Sequence, residues 1–84
     1  MVILDVREPD EYASGHVKDA VSFSVYRMME GAMPDIPKDE EIIAYCRSGS
    51  RSAMAKHILD QNGYAQVKNG GGLGDMQRSG YALE

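Results

Sequence analysis

Apolar residues fall into two kinds of run along this chain. Val2-Ile3-Leu4-Asp5-Val6 and Glu41-Ile42-Ile43-Ala44-Tyr45 are short and nearly continuous, without the alternation of a half-exposed strand. Such runs are the pattern of strands covered on both faces of a parallel sheet. Ser50 to Gln61 instead spaces Met54, Ala55, Ile58 and Leu59 at helical intervals, and Asn62-Gly63 closes it. Glu8-Pro9-Asp10-Glu11-Tyr12 predicts a short helix: proline suits the first turn, the acids favour the positive end of the helix dipole, and Gly15 suits the stop. Weaker patterns predict a strand over 20–23, a helix over 25–30 closed by Gly31, a strand over 64–67 and a short helix over 75–78. Met33 to Asp39, with two prolines, reads as a surface connection, and Asn69-Gly70-Gly71-Gly72 as a flexible turn.

Strands alternating with helices predict parallel pairing through right-handed crossovers, and hence one three-layer α/β domain over residues 1–82. Ligands of such sheets bind outside the carboxyl ends of the strands. Asp5 to Arg7 and Cys46 to Ser52 both fall at that edge. Leu83-Glu84 reads as a cloning remnant of no structural weight, and the opening Met-Val-Ile-Leu has no signal-peptide pattern, although a chain trimmed of its signal would look the same.

Composition removes several function classes. Hydrophobic residues make up 43% and charged residues 26%, the balance of a globular domain, and no apolar run is long enough to cross a bilayer. A net charge of -4 argues against a general nucleic-acid binder, so any anion site must be built locally. The single cysteine permits no internal disulfide and no cysteine cluster for zinc or iron-sulfur.

That cysteine stands where a predicted strand meets a predicted helix, in Tyr45-Cys46-Arg47-Ser48-Gly49-Ser50-Arg51-Ser52. Small residues there let the backbone curl so that N–H groups converge at a helix N-terminus and favour negative charge. The same field lowers a thiol pKa and makes Cys46 a candidate nucleophile. Gly49 permits a backbone angle closed to other residues, and Ser48, Ser50 and Ser52 supply hydroxyls. Arg47 and Arg51 can hold a small oxyanion. A lone cysteine at a strand end is ordinarily an inert buried residue. Flanking arginines argue against that here, because such charges are not buried unpaired.

Asp5-Val6-Arg7-Glu8-Pro9-Asp10-Glu11-Tyr12 with Gly15-His16-Val17 resembles the opening signature of rhodanese domains. Cys46 to Ser52 resembles their active-site loop, and Gly71-Gly72 the glycine pair that closes them. The three occur in order over almost the whole chain and are most similar to the small single-domain bacterial rhodaneses of the phage-shock type. The resemblance implies a rhodanese-like fold, a central parallel sheet flanked by helices. It also implies a thiosulfate sulfurtransferase in which Cys46 carries a persulfide and residues 47–52 bind the anionic donor. The acceptor it implies is cyanide or a thiol, such as glutathione or a thioredoxin-like protein. No metal or organic cofactor is implied, a monomer is expected, and the periplasm is favoured over the cytoplasm. Departures from the family are Asp19 for glycine, Ser24 for proline and Met76 near a tryptophan position; they bear on local packing and partner contacts.

Two rival functions are a sulfur-carrying or partner-docking module without turnover, and a cysteine phosphatase. The phosphatase loop has one residue more between cysteine and arginine, and the smaller bowl here favours sulfur over phosphate. Asp5 and Arg7 are read with equal weight as loop-orienting groups or as a strand-end ion pair of little consequence, and stay outside the catalytic set. His16 is read as a structural hydrogen-bonding residue and His57 as a solvated one. Tyr12, Tyr45 and Tyr64 are read as core and rim residues, and Met28, Met29 and Met33 as core filling in preference to an acceptor groove.

Overall fold

The computed structural model describes residues 1–84. Strands β1 (Val2–Asp5), β2 (Val21–Ser22), β3 (Glu41–Cys46) and β4 (Gln66–Gly72) alternate with helices α1 (Pro9–Ala13), α2 (Val25–Met29), α3 (Ser50–Gln61) and α4 (Leu73–Arg78). All strand pairs are parallel, in the order β2-β1-β3-β4. The three-layer α/β architecture predicted by the two apolar runs is the one observed, because those runs are the two central strands.

Alternation along the central strands separates two cores. Leu4, Val6, Ile42, Ala44 and Cys46 pack with Val25, Met28, Ala55 and Leu59 from α2 and α3. Tyr45 joins Val17, Ala20 and Met76, with Ile3, Ile43, Tyr12 and Leu73 against them. Both faces of β1 and β3 are thereby covered, which is why neither strand shows a polar face. No helix is long and apolar enough to cross a membrane.

The fourth strand runs further than its sequence predicts. Asn69 to Gly72 continues β4 as a ladder against β3, pairing Ala44 with Asn69, Tyr45 with Gly71 and Cys46 with Gly72; the register shift leaves Gly70 as the extra residue. A side chain at Gly70 would meet Met76 Sδ at 2.6 Å and Ile43 Cγ2 at 2.9 Å. The glycines that read as a turn are therefore strand residues under a close-packed layer.

The C-terminal tail also corrects its expectation. Leu83 forms an antiparallel bridge with Val17, and Glu84 exchanges backbone hydrogen bonds with His16 at 2.8 and 3.2 Å. The two terminal residues thus carry contacts of the fold. His16 is structural, as its sequence position indicates: its ring stacks on Tyr12 at 3.7 Å and Nδ1 lies 2.8 Å from the Tyr12 carbonyl. Met28 is core, Met33 packs at its margin, and Met29 is exposed, so core filling describes only part of that set.

Each departure from the family pattern is accommodated locally. Asp19 adopts a φ of 66°, the left-handed region where glycine would be easier. Ser24 caps α2 by accepting from the Tyr26 N–H at 3.1 Å, and its hydroxyl donates to Glu8. Met76 is buried against Val17, Ala20 and Tyr45.

Candidate active site

Parallel pairing brings the carboxyl ends of β1, β3 and β4 to one edge, where Asp5 pairs with Tyr45 and Cys46 with Gly72. Cys46 is the last residue of β3, and the next three residues turn the chain into α3. Gly49 makes the turn with a φ of 104°, which only glycine adopts without strain. Gly72 is required for a different reason: a β-carbon there would collide with the Arg47 carbonyl. The loop is therefore packed backbone to backbone on β4.

The Cys46 side chain has no exposed surface, yet its sulfur is not in an apolar pocket. The Gly49 N–H donates to Sγ at 2.9 Å, and Ser52 Oγ lies 3.4 Å away. Burial pushes the thiol pKa up, but the Ser52 hydroxyl and the backbone N–H groups of Ser52, Gly49 and Ser48 outweigh it. The net shift is downward, toward thiolate. These donors are unequal. A hydroxyl has one proton, and the Ser52 proton has a closer acceptor in Asn69 Oδ1 at 2.6 Å. Asn69 is held to that task by the Gly71 N–H at 2.9 Å and by its own Nδ2 on the Gly49 carbonyl at 3.2 Å. The Gly49 amide, which cannot turn away, is the donor whose place on Sγ the backbone fixes.

Arg47 and Ser48 are exposed at the rim, and Arg47 has no ion-pair partner. Ser50 opens α3, with its side chain in solvent. Arg51, read from the sequence as a holder of a small oxyanion, already carries a carboxylate: Nη1 and Nη2 donate to the two oxygens of Glu11 at 2.6 and 2.9 Å. The guanidinium holds the Glu11 carboxyl down at about 2 against an ordinary 4.5, and Glu11 raises Arg51 in turn. A carboxyl depressed in the folded state contributes stability that is present above 4.5 and is lost as pH falls toward about 2. The link therefore survives moderate acidity.

Asp5 and Arg7 are not an exposed strand-end pair. Their side chains are 0% and 7% accessible, with Arg7 Nη2 donating to Asp5 Oδ2 at 2.7 Å and to the Gly15 carbonyl at 2.7 Å. Tyr45 Oη donates to Asp5 at 2.6 Å and accepts from the Val17 N–H at 3.0 Å. This network ties the ends of β1 and β3 to the segment after α1, and so supports the edge on which the loop stands. Beside it lies a cleft of about 300 Å³ lined by Arg7, Asp10, Glu11, Ser14, Arg47 and Leu73. Glu11 and Asn69 are site neighbours that sequence reasoning did not single out. Glu11 stood within the opening signature, but nothing in the sequence signalled a contact forty residues away.

Strand edge, glycine-backed loop and amide-capped cysteine together define a class, and the chain belongs to it: the rhodanese-like domain family, whose sequence pattern matches residues 1–73. The chain is 36% identical over 74 residues to the thiosulfate sulfurtransferase PspE of Escherichia coli, covering 87% of this chain and 71% of that protein. It is 39% identical over 69 residues to a sulfurtransferase of Allochromatium vinosum, covering 82% of this chain and 64% of the relative. Among solved structures, a rhodanese with anions from E. coli superimposes with a TM-score of 0.80 at 32% identity, covering 99% of this chain and 95% of that one. Sulfur transfer is the general activity that these relatives support.

Proposed function

We propose that this domain moves a sulfane sulfur from thiosulfate, or a donor like it, to cyanide or a thiol by way of a persulfide on Cys46. The observation that carries the reading is the Gly49 N–H held 2.9 Å from a buried sulfur whose pKa is lowered despite burial. In the first half, the Cys46 thiolate attacks the outer sulfur of thiosulfate. A bond forms between Sγ and that sulfur, the original S–S bond breaks, and its electron pair leaves with sulfite. In the second half, cyanide or a thiolate takes the outer sulfur and Cys46 departs as thiolate. Charge is conserved in each half, and the sulfur carries negative charge before and after transfer. Donors fixed in place serve both states without rearrangement.

Arg47 and Arg51 orient the anionic donor, while Ser48, Gly49, Ser50 and Ser52 shape the bowl around the sulfur. Because Sγ has no exposed surface, a donor reaches it only when its surroundings yield. The solvent-facing rim, Arg47 and Ser48, is the part least held by packing.

The test is a thiosulfate–cyanide assay read as thiocyanate, run on the wild type and on Arg51→Ala. The wild type turns over, and the variant raises the apparent KM for thiosulfate by about tenfold, the scale of one charge-assisted contact to an anion. An unchanged KM would remove Arg51 from donor binding. A protein that takes up sulfur once and never releases thiocyanate would be a carrier module.

A further inference from the structure

Arginines draw an anion toward this site, yet its charges cancel. Around the loop and the adjoining cleft stand three cations, Arg7, Arg47 and Arg51, and three carboxylates, Asp5, Asp10 and Glu11. Asp5 neutralises Arg7 within the buried network, and Asp10 and Arg47 are exposed without ion-pair partners. Glu11 is different, because it acts on the donor-binding machinery itself. It reaches across from α1 to take both terminal nitrogens of Arg51 at 2.6 and 2.9 Å, and its Oε1 also accepts from the Glu8 N–H at 3.0 Å. Arg51 in turn feels the charge of the Cys46 thiolate. A fixed carboxylate thus sits one side chain away from the place where the donor must dock.

Resting on the sulfur-transfer reading above, we propose that Glu11 is a specificity-determining residue. By clamping Arg51 it offsets one positive charge at the donor site, and so favours singly charged sulfane-sulfur donors over doubly charged ones. The argument is electrostatic. Thiosulfate carries two negative charges, and an organic thiosulfonate carries one on the same kind of outer sulfur. Both donors present the same kind of outer sulfur to Cys46, whose Sγ accepts from the Gly49 N–H at 2.9 Å whichever donor arrives. Repulsion from Glu11 scales with donor charge, so it weighs on thiosulfate twice as heavily. A glutamine oxygen can still accept from Arg51 Nη1 and from the Glu8 N–H, but its amide nitrogen cannot accept from Nη2, so Glu11→Gln removes the charge together with one arm of the link. Glu11→Asp, which keeps both oxygens and the charge, is therefore the paired control.

The experiment compares kcat/KM for thiosulfate and for benzenethiosulfonate, with cyanide as acceptor, in the wild type, Glu11→Gln and Glu11→Asp. Glu11→Gln raises the thiosulfate-to-thiosulfonate ratio by about fivefold, mostly through a lower KM for thiosulfate, as expected for one unit charge removed from a partly exposed site. Glu11→Asp keeps the charge and leaves the ratio within about twofold of the wild type. A ratio that is unchanged or falls in Glu11→Gln would overturn the proposal, as would a rise of equal size in Glu11→Asp. Wild-type protein that makes no thiocyanate from either donor would overturn sulfur transfer itself, a result distinct from a charge-blind enzyme.

Discussion

Cys46→Ser is expected to abolish thiocyanate formation, lowering turnover by at least about a thousandfold, the scale seen when a nucleophile is removed from an otherwise intact site. Serine fits the same space, and the Gly49 N–H can donate to its oxygen as it does to Sγ at 2.9 Å. The fold and the bowl therefore remain, and only the chemistry is lost. A hydroxyl does not ionise near neutral pH and forms no persulfide, so the Gly49 N–H has no anion to stabilise. The comparison is made with thiosulfate and cyanide on both proteins after matching their thermal melts. Equal thiocyanate production by the two would remove Cys46 from the reaction.

The second large effect concerns the support of the site. Asp5→Ala is expected to destabilise the domain by about 3–5 kcal/mol, the cost of leaving one member of a buried ion pair without its partner. Asp5 accepts from the Arg7 backbone and guanidinium and from Tyr45 Oη, all in a fully buried setting. Its loss leaves the Arg7 guanidinium with only the Gly15 carbonyl and leaves the Tyr45 hydroxyl without an acceptor. Total stabilities of single domains are about 5–15 kcal/mol, so the loss is a large part of the whole. Thermal denaturation should show a midpoint lower by roughly 15 °C or more. A midpoint within about 3 °C of the wild type would mean that the network is incidental to the fold.

The sequence made the central architecture legible because buried parallel strands have no polar face to disguise them. Val2 to Val6 and Glu41 to Tyr45 could be read directly, and the helix from Ser50 to Gln61 carries both its spacing and its stop. The cysteine loop was legible too, since its residues are contiguous and its chemistry is local. Asn69 to Gly72 was not, because glycines have no strand propensity of their own. Pairing with β3 and the need for close backbone approach override that deficit. Contacts between distant segments were equally hidden. Arg51 was read as a holder of an oxyanion and is held by Glu11, while Asp5 and Arg7, read with equal weight as loop-orienting groups or an ion pair of little consequence, are sealed by Tyr45 and the segment after α1. Ser52 was read as one hydroxyl of the bowl, but its competition between Sγ and Asn69 emerges only when β4 is laid beside α3.

The central claim is that fixed amides hold the Cys46 sulfur as an anion able to carry a second sulfur atom. Intact-protein and peptide mass measurement after thiosulfate treatment tests it most directly. The account predicts a gain of one sulfur on the Cys46 peptide, reversed by cyanide and absent in Cys46→Ser. A protein that converts thiosulfate to thiocyanate with Cys46 never gaining mass, or that gains sulfur elsewhere, would contradict it.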